Sequence, residues 1–122
     1  VFELMNAAPG ARVYSLIADQ TPKQHERKHW TKFLGRDTAF YTGADQVTRF
    51  LDATVLYVAM RRVSRGHYAV QVEILAEPPF DAEGHEVIME KFARRAERAI
   101  LENPEDFLWL QKRWKYPKPP DE

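Results

Sequence analysis

The sequence predicts one α/β domain, because two strand-like runs in its middle are followed by an amphipathic helix. Thr54–Met60 is apolar and rich in β-branched side chains, which predicts a strand buried on both faces. Tyr68, Val70, Val72 and Ile74 alternate with small or polar side chains, which predicts a half-buried strand paired with the first. A helix follows, because apolar side chains recur at helical spacing at Met89, Phe92, Ala93, Ala96 and Ile100. The length of 122 residues is that of a single domain, 1–122.

Two further elements are predicted before the first of these strands. Val13–Ala18 is a short apolar run that indicates a buried strand, with Asp19 at its carboxyl end. Ligands of open α/β sheets bind outside that end of the strands, so Asp19 is a candidate site residue. After a polar stretch over 21–32, Val47, Phe50 and Leu51 indicate a short helix with one buried face.

The two ends of the chain carry their own signals. Val1–Met5 is typical of the middle of an amphipathic helix, so we expect the chain to be part of a longer protein. At the other end, Asn103-Pro104-Glu105-Asp106 has the residues of a helix start, which places Phe107, Leu110 and Trp114 on an inward face.

Composition narrows the classes of function. Lys plus Arg and Asp plus Glu number 18 each, so the charge offers no support for nucleic-acid binding. Cysteine is absent, which excludes disulfides and thiol catalysis. The longest apolar stretch, Val55–Met60, is far shorter than the roughly 20 residues that a membrane-spanning helix needs.

Two short patterns suggest histidines that bind a metal or act as a base. His25, Glu26 and His29 fit the H-E-x-x-H spacing of zinc hydrolases, but Arg27 and Lys28 would place two cations beside the metal. A solvated charged loop is the favoured interpretation, with a zinc hydrolase as an alternative hypothesis. His85 and Glu90 are five residues apart, a poor spacing for contact on a helix, and are interpreted as surface groups.

Basic side chains form two clusters. These are Arg61, Arg62 and Arg65 in a predicted turn, and Lys112, Arg113 and Lys115 near the end. Short charge clusters are usually solvated surface, but arginines also bind phosphates in bidentate fashion. The sequence leaves both interpretations open.

An ordered set of motifs resembles the bacterial lipid A late acyltransferases. It comprises Leu16-Ile17-Ala18-Asp19-Gln20, Trp30, Phe33-Leu34-Gly35, Thr38-Ala39-Phe40 and Thr42-Gly43. The end of the chain, Asn103–Trp109 with Lys112–Lys115, resembles the family's closing P-E-Q-Y-x-W-x-H-R-R-F-K run, although Gln111 stands where that run has His. The resemblance covers nearly the whole chain.

The resemblance implies the C-terminal part of a glycerolipid acyltransferase-like α/β fold, with a mixed sheet flanked by helices. It implies acyl transfer from acyl carrier protein to a hydroxyl of a lipid A precursor, without a cofactor or metal, at the cytoplasmic face of the inner membrane. The family's H-x-x-x-x-D/E catalytic motif is expected before Val1, so the chain alone should be inactive and soluble.

The resemblance also assigns candidate residues. It implies a catalytic role for Asp19, and Gln20, Arg61, Arg62 and Arg113 are the candidate substrate-binding residues. An acyltransferase for another glycolipid and a non-catalytic binding module remain as alternatives.

Overall fold

The computed structural model describes residues 10–80, 84, 86–107 and 109–120. In chain order the elements are strands β1 (Lys28–Phe33) and β2 (Arg36–Tyr41), helix α1 (Gly43–Leu51), strands β3 (Val55–Ser64) and β4 (His67–Ala76), helix α2 (Val87–Glu102) and a 3-10 turn over Pro104–Asp106. The α/β class, with helices packed against sheets, is confirmed. The predicted helical segment at Val1–Met5 lies outside the described residues.

Each pair of strands forms an antiparallel hairpin and a separate two-stranded sheet. In the first hairpin, Leu34 and Gly35 both adopt positive φ, 51° and 75°, as a two-residue type I′ loop requires. In the second, Gly66 has φ 76° and provides the left-handed conformation at the tip.

The main core lies where the first hairpin packs on α2. Phe33 and Phe40 contact each other edge to face, with ring centroids 5.3 Å apart, and pack with the helix residues Met89, Ala93 and Ile100. Phe92 extends this core towards the second hairpin, where its ring lies 5.9 Å from that of Tyr57. The helix therefore holds the two hairpins on neighbouring sides of its apolar stripe.

Two of the strand predictions are wrong, one because no strand forms and the other because one of its faces is exposed. The run Val13–Ala18 forms no strand, and Val13 and Ile17 are 91% and 72% exposed. An isolated apolar run leaves its backbone groups unpaired, and no described segment pairs with this one. Thr54–Met60 does enter β3, but Val58 and Met60 on its outer face are exposed rather than buried.

The face assignment of β4 is inverted. Tyr68, Val70, Val72 and Ile74 are all more than half exposed, and it is Glu73 that faces α2. Between β4 and α2, an ion pair of Glu73 with Arg95 is therefore found where the alternation pattern predicted an apolar contact.

The helix predicted after Asn103 is also wrong, because only the short 3-10 turn forms there. Leu110 is 92% exposed, whereas Phe107 and Trp114 pack against the main core as predicted. The indole Nε1 of Trp114 donates to Thr38 Oγ1 at 2.8 Å, which fixes this final segment against β2. No helix within the described ranges has the length and apolar character that crossing a bilayer demands.

Candidate functional site

A groove of about 670 Å³ lies between segment 16–19, the inner face of the second hairpin, α2 and the end of the chain. We call it the apolar groove after the apolar side chains in its wall, which include Leu16, Ile17, Phe33, Phe40, Ala59, Phe92, Ala96 and Ile100. Charged side chains line it as well, among them Arg61, Arg95 and Glu102. The volume is within the range of about 300–1,000 Å³ typical of small-molecule sites.

Three of the predicted site residues line this groove: Asp19, Arg61 and Arg113. Asp19 is exposed at its surface, and Arg61 is on the inner face of β3. The structure thus brings together residues that are distant in sequence, although Asp19 does not follow the predicted strand.

Arg113 is the buried cation of the groove, only 3% exposed. Its Nη2 donates to the Ala39 carbonyl at 2.7 Å, and its guanidinium lies 4.5 Å from the centre of the Phe40 ring. Its Nη1 has no hydrogen-bond partner among the described residues. Burial lowers the pKa of Arg113 to about 10, and the negative charge of Asp19 partly opposes this shift.

A second groove of about 590 Å³ adjoins the first. We call it the polar groove, because its lining includes Gln20, Thr21, Lys23, Gln111, Lys112 and Lys115. Asp19, Asp106 and Phe107 line both grooves. Asp19 therefore lies where the two grooves meet.

Segment 19–21 is held in place by the end of the chain. Thr21 Oγ1 lies 3.1 Å from the Lys112 carbonyl and 3.2 Å from the Arg113 carbonyl, and donates to them. Gln111 Nε2 donates to the Asp19 carbonyl at 3.3 Å. Side-chain hydrogen bonds therefore hold the segment of Asp19, in place of the strand that was predicted over Val13–Ala18.

Arg62 lies apart from the other predicted residues. Adjacent strand residues point to opposite faces, so Arg62 shares the outer face of β3 with Met60 and lines neither groove. Its backbone N–H donates to Asp106 Oδ2 at 3.3 Å. The basic cluster at the hairpin is therefore divided between the two faces.

Sequence reasoning missed Arg95 and Tyr57. Arg95 lies among the charged residues of α2, but its side chain is only 10% exposed and makes two hydrogen bonds of 2.7 Å with Glu73. Its guanidinium lies 4.6 Å from the centre of the Tyr57 ring, and burial raises the pKa of the Tyr57 hydroxyl. Because Arg95 follows Phe92 by three residues and precedes Ala99 by four, helical spacing itself indicated the inner face.

The pattern that suggested a zinc site has a structural role instead. His25 is in a turn and His29 is in β1, so the motif is not on a helix. The ring nitrogens of His29 lie 2.9 and 2.8 Å from carboxylate oxygens of Glu86 and Glu90. Within the ranges that the structure describes, no three metal-binding side chains form a cluster.

Glu90 is also not the free surface group that was predicted. Partial burial raises the pKa of Glu90, but hydrogen bonds from His29 and Thr31 and the charge of Arg94 outweigh it, so the net pKa is lowered. The ionised carboxylate therefore links β1 to α2. His85, the other half of that pattern, lies outside the described residues.

Comparison with known proteins supplies the family. No curated protein and no solved structure matches the chain. Residues 4–116 match the family described as bacterial lipid A biosynthesis acyltransferase. This match covers almost the whole sequence, including both grooves and every predicted site residue. The chain therefore belongs to the bacterial lipid A biosynthesis acyltransferase family.

Proposed function

We propose that the protein containing this chain transfers a fatty acyl group from acyl carrier protein to a hydroxyl of a lipid A precursor. The observation that supports this most is that Asp19, Arg61 and Arg113 line one groove together with many apolar side chains. Apolar walls suit an acyl chain, and the guanidinium groups suit the phosphates of the acceptor.

The chemistry requires a base that this chain is not expected to contain. In the proposal, the His of an H-x-x-x-x-D/E motif before Val1 removes the proton of the acceptor hydroxyl. The oxygen then attacks the thioester carbonyl, the C–S bond breaks, and the thiol of the carrier leaves with the proton. Asp19 orients the protonated base, and Gln20 provides a hydrogen bond beside it.

The remaining assignments follow from charge and position. Arg61 and Arg113 are proposed to bind phosphate in or beside the apolar groove, whereas contact between Arg62 and substrate stays a prediction, since Arg62 lies on the outer face. Because the acceptor is a membrane lipid, we place the reaction at the cytoplasmic face of the inner membrane. No cofactor is needed for acyl transfer from a thioester.

The test is Asp19→Asn in the full-length protein. We expect the rate of acyl transfer to a lipid A precursor to fall by about 100-fold, with the melting temperature unchanged because Asp19 is exposed. Asp52→Asn is the matched control, because Asp52 is exposed, outside both grooves, and in a left-handed conformation that Asn tolerates.

Mass spectrometry of the lipid product measures the rate. A wild-type rate in Asp19→Asn would remove Asp19 from the site. Preferential transfer to a different glycolipid, such as an acylated mannoside, would replace the proposed acceptor. Absence of any transfer by the full-length protein would favour a binding module.

A further inference from the structure

Tyr57 places a phenol hydroxyl in the groove that contains Asp19. It is half-buried on the inner face of β3 and lines the apolar groove with Asp19 and Arg113. Its hydroxyl forms no hydrogen bond with any residue that the structure describes. Polar groups in the interior of folded proteins are normally paired, so an unpaired hydroxyl that lines a groove is available to a ligand.

Contacts of the ring fix the position of this hydroxyl. The Tyr57 ring lies 5.9 Å from the ring of Phe92, and the guanidinium of Arg95 lies 4.6 Å from its centre. Arg95 donates two hydrogen bonds of 2.7 Å to Glu73, which is the residue opposite Tyr57 in β4. Because the C–O bond lies along the axis of the ring, a fixed ring leaves only the O–H hydrogen free to rotate.

The hydroxyl keeps its proton at neutral pH and is therefore a donor. Burial raises the pKa of Tyr57, the charge of Arg95 lowers it, and the charges of Glu73 and Asp19 raise it further. The net pKa lies above the ordinary value of a tyrosine. The Asp19 carboxylate is near enough for its charge to act on the phenol, so the two groups serve the same part of the groove.

The arginine beside Tyr57 is already engaged. Arg95 uses Nε and Nη2 on Glu73, and its Nη1 is buried without a partner among the described residues. A ligand atom at the Tyr57 hydroxyl therefore meets one neutral O–H group and not a guanidinium fork. Phosphates are bound by forks and by several donors, whereas a single neutral donor suits a carbonyl oxygen.

The proposed reaction creates negative charge on one such oxygen. When the acceptor hydroxyl attacks the thioester, the carbonyl oxygen becomes an oxyanion, and a donor that is already in place stabilises it without reorganisation. Of the charges that act on the Tyr57 phenol, that of Arg95 is the largest. A cation at that distance favours negative charge beside the hydroxyl.

We infer that Tyr57 is a further catalytic residue, whose hydroxyl donates a hydrogen bond to the carbonyl oxygen of the acyl group under attack. The inference rests on the proposed function, because it adds a residue to that reaction. The phenol keeps its proton throughout, so the proton still passes from the acceptor hydroxyl through the base to the leaving thiol. Arg95 and Glu73 act through Tyr57, as positioning residues that hold its ring.

Tyr57→Phe in the full-length protein tests the hydroxyl alone. Phenylalanine keeps the ring contacts with Phe92 and Arg95, so the melting temperature should stay within about 2 °C of the wild-type value. The turnover number kcat for acyl transfer should fall about 100-fold with KM unchanged, because the hydrogen bond strengthens only as the oxyanion develops. Tyr68→Phe is the matched control and should change neither constant, because Tyr68 is 57% exposed on the outer face of β4.

A binding measurement tests the same contact without turnover. Dodecylphosphonate has a tetrahedral anion where the attacked carbonyl would be, whereas lauramide has a planar, neutral carbonyl. Titration calorimetry should show that Tyr57→Phe weakens binding of the phosphonate about 10-fold and that of lauramide by less than about 2-fold.

Four results would overturn the inference. A wild-type kcat in Tyr57→Phe would show that the hydroxyl takes no part in the reaction, and a raised KM with unchanged kcat would make it a contact of the bound substrate only. Losses of affinity that are equal for the phosphonate and lauramide, or absent for both, would remove the oxyanion contact. In each case transfer by the wild-type protein leaves the proposed function standing, whereas absence of transfer by the wild type would end both.

Discussion

The two hairpins of the molecule use their apolar faces in opposite ways. In the first hairpin, Phe33 and Phe40 are 2% and 1% exposed beneath α2. In the second, Val58 and Val72 are paired across the strands and are 61% and 57% exposed. The same helix contacts both hairpins, so the difference lies in which face each presents to it.

Charge explains how the second hairpin attaches with its polar face inward. Glu73 and Arg95 form a bidentate ion pair, and Arg95 also stacks on Tyr57. The Arg95 charge and hydrogen bonds lower the pKa of Glu73, so this contact persists across neutral pH. Directional polar contacts thus help to hold the second hairpin, beside apolar contacts of Val55, Tyr57 and Ala76, whereas close apolar packing holds the first.

The largest expected effect comes from the packed hairpin. Phe40→Ala should lower the free energy of unfolding by about 3–5 kcal/mol, because it removes a buried ring that contacts Phe33, Phe92 and Arg113. Val58→Ala on the exposed face of β3 should change it by less than about 0.5 kcal/mol. Urea unfolding followed by tryptophan fluorescence measures both, and similar losses in the two variants would show that the outer face is buried in solution.

This contrast also shows what the sequence could specify. Helical spacing predicted both helices and the buried stripe of α2, because a helix carries that stripe in its own sequence. The predicted face of α1 was wrong in part, since Phe50 is 53% exposed and Asp45 and Thr48 are the buried residues. Alternation in β4 identified Tyr68, Val70, Val72 and Ile74 as one face, but a period of two holds whether or not another element covers that face. Burial of a strand is a property of its partners.

For the candidate site, too, the sequence predicted some features and missed others. The sequence selected Asp19, Gln20, Arg61, Arg62 and Arg113 as candidates. Asp19, Gln20, Arg61 and the buried Arg113 line the two grooves, whereas Arg62 lines neither. The means of holding Asp19 was missed, because Thr21 and Gln111 reach backbone carbonyls about ninety residues away in the chain. No local pattern encodes such contacts.

A smaller effect concerns the polar contact that holds β1 to α2. Since the pKa of Glu90 is lowered in the folded state, its contribution is present above the ordinary pKa of a glutamate and is lost as pH falls through the folded value. Glu90→Gln should lower the free energy of unfolding by about 0.5 kcal/mol near pH 7, discounted for a side chain that is 41% exposed, and by almost nothing near pH 3. Glu105→Gln, which is exposed and unpaired within the described residues, should cause no such pH-dependent difference.

The measurement is urea unfolding of the two variants and the wild type at both pH values. An equal loss at the two pH values would mean that Glu90 acts through shape rather than charge. A loss that grows towards low pH would contradict the direction of the pKa shift itself.

The smallest change in the free energy of unfolding is expected on the exposed face of the second hairpin. The effect to be measured there is on self-association. Val58→Thr with Val72→Thr keeps the shape and β-branching of a cross-strand pair, so the free energy of unfolding should change by less than about 0.5 kcal/mol. Exposed apolar faces promote association, so the variant should self-associate less than the wild type in sedimentation velocity. Arg98→Gln, a change at an exposed helix position, is the control and should leave association unchanged. If the threonines lower stability by more than about 1 kcal/mol, the two hairpins are packed alike, because only a covered face loses stability when it becomes polar.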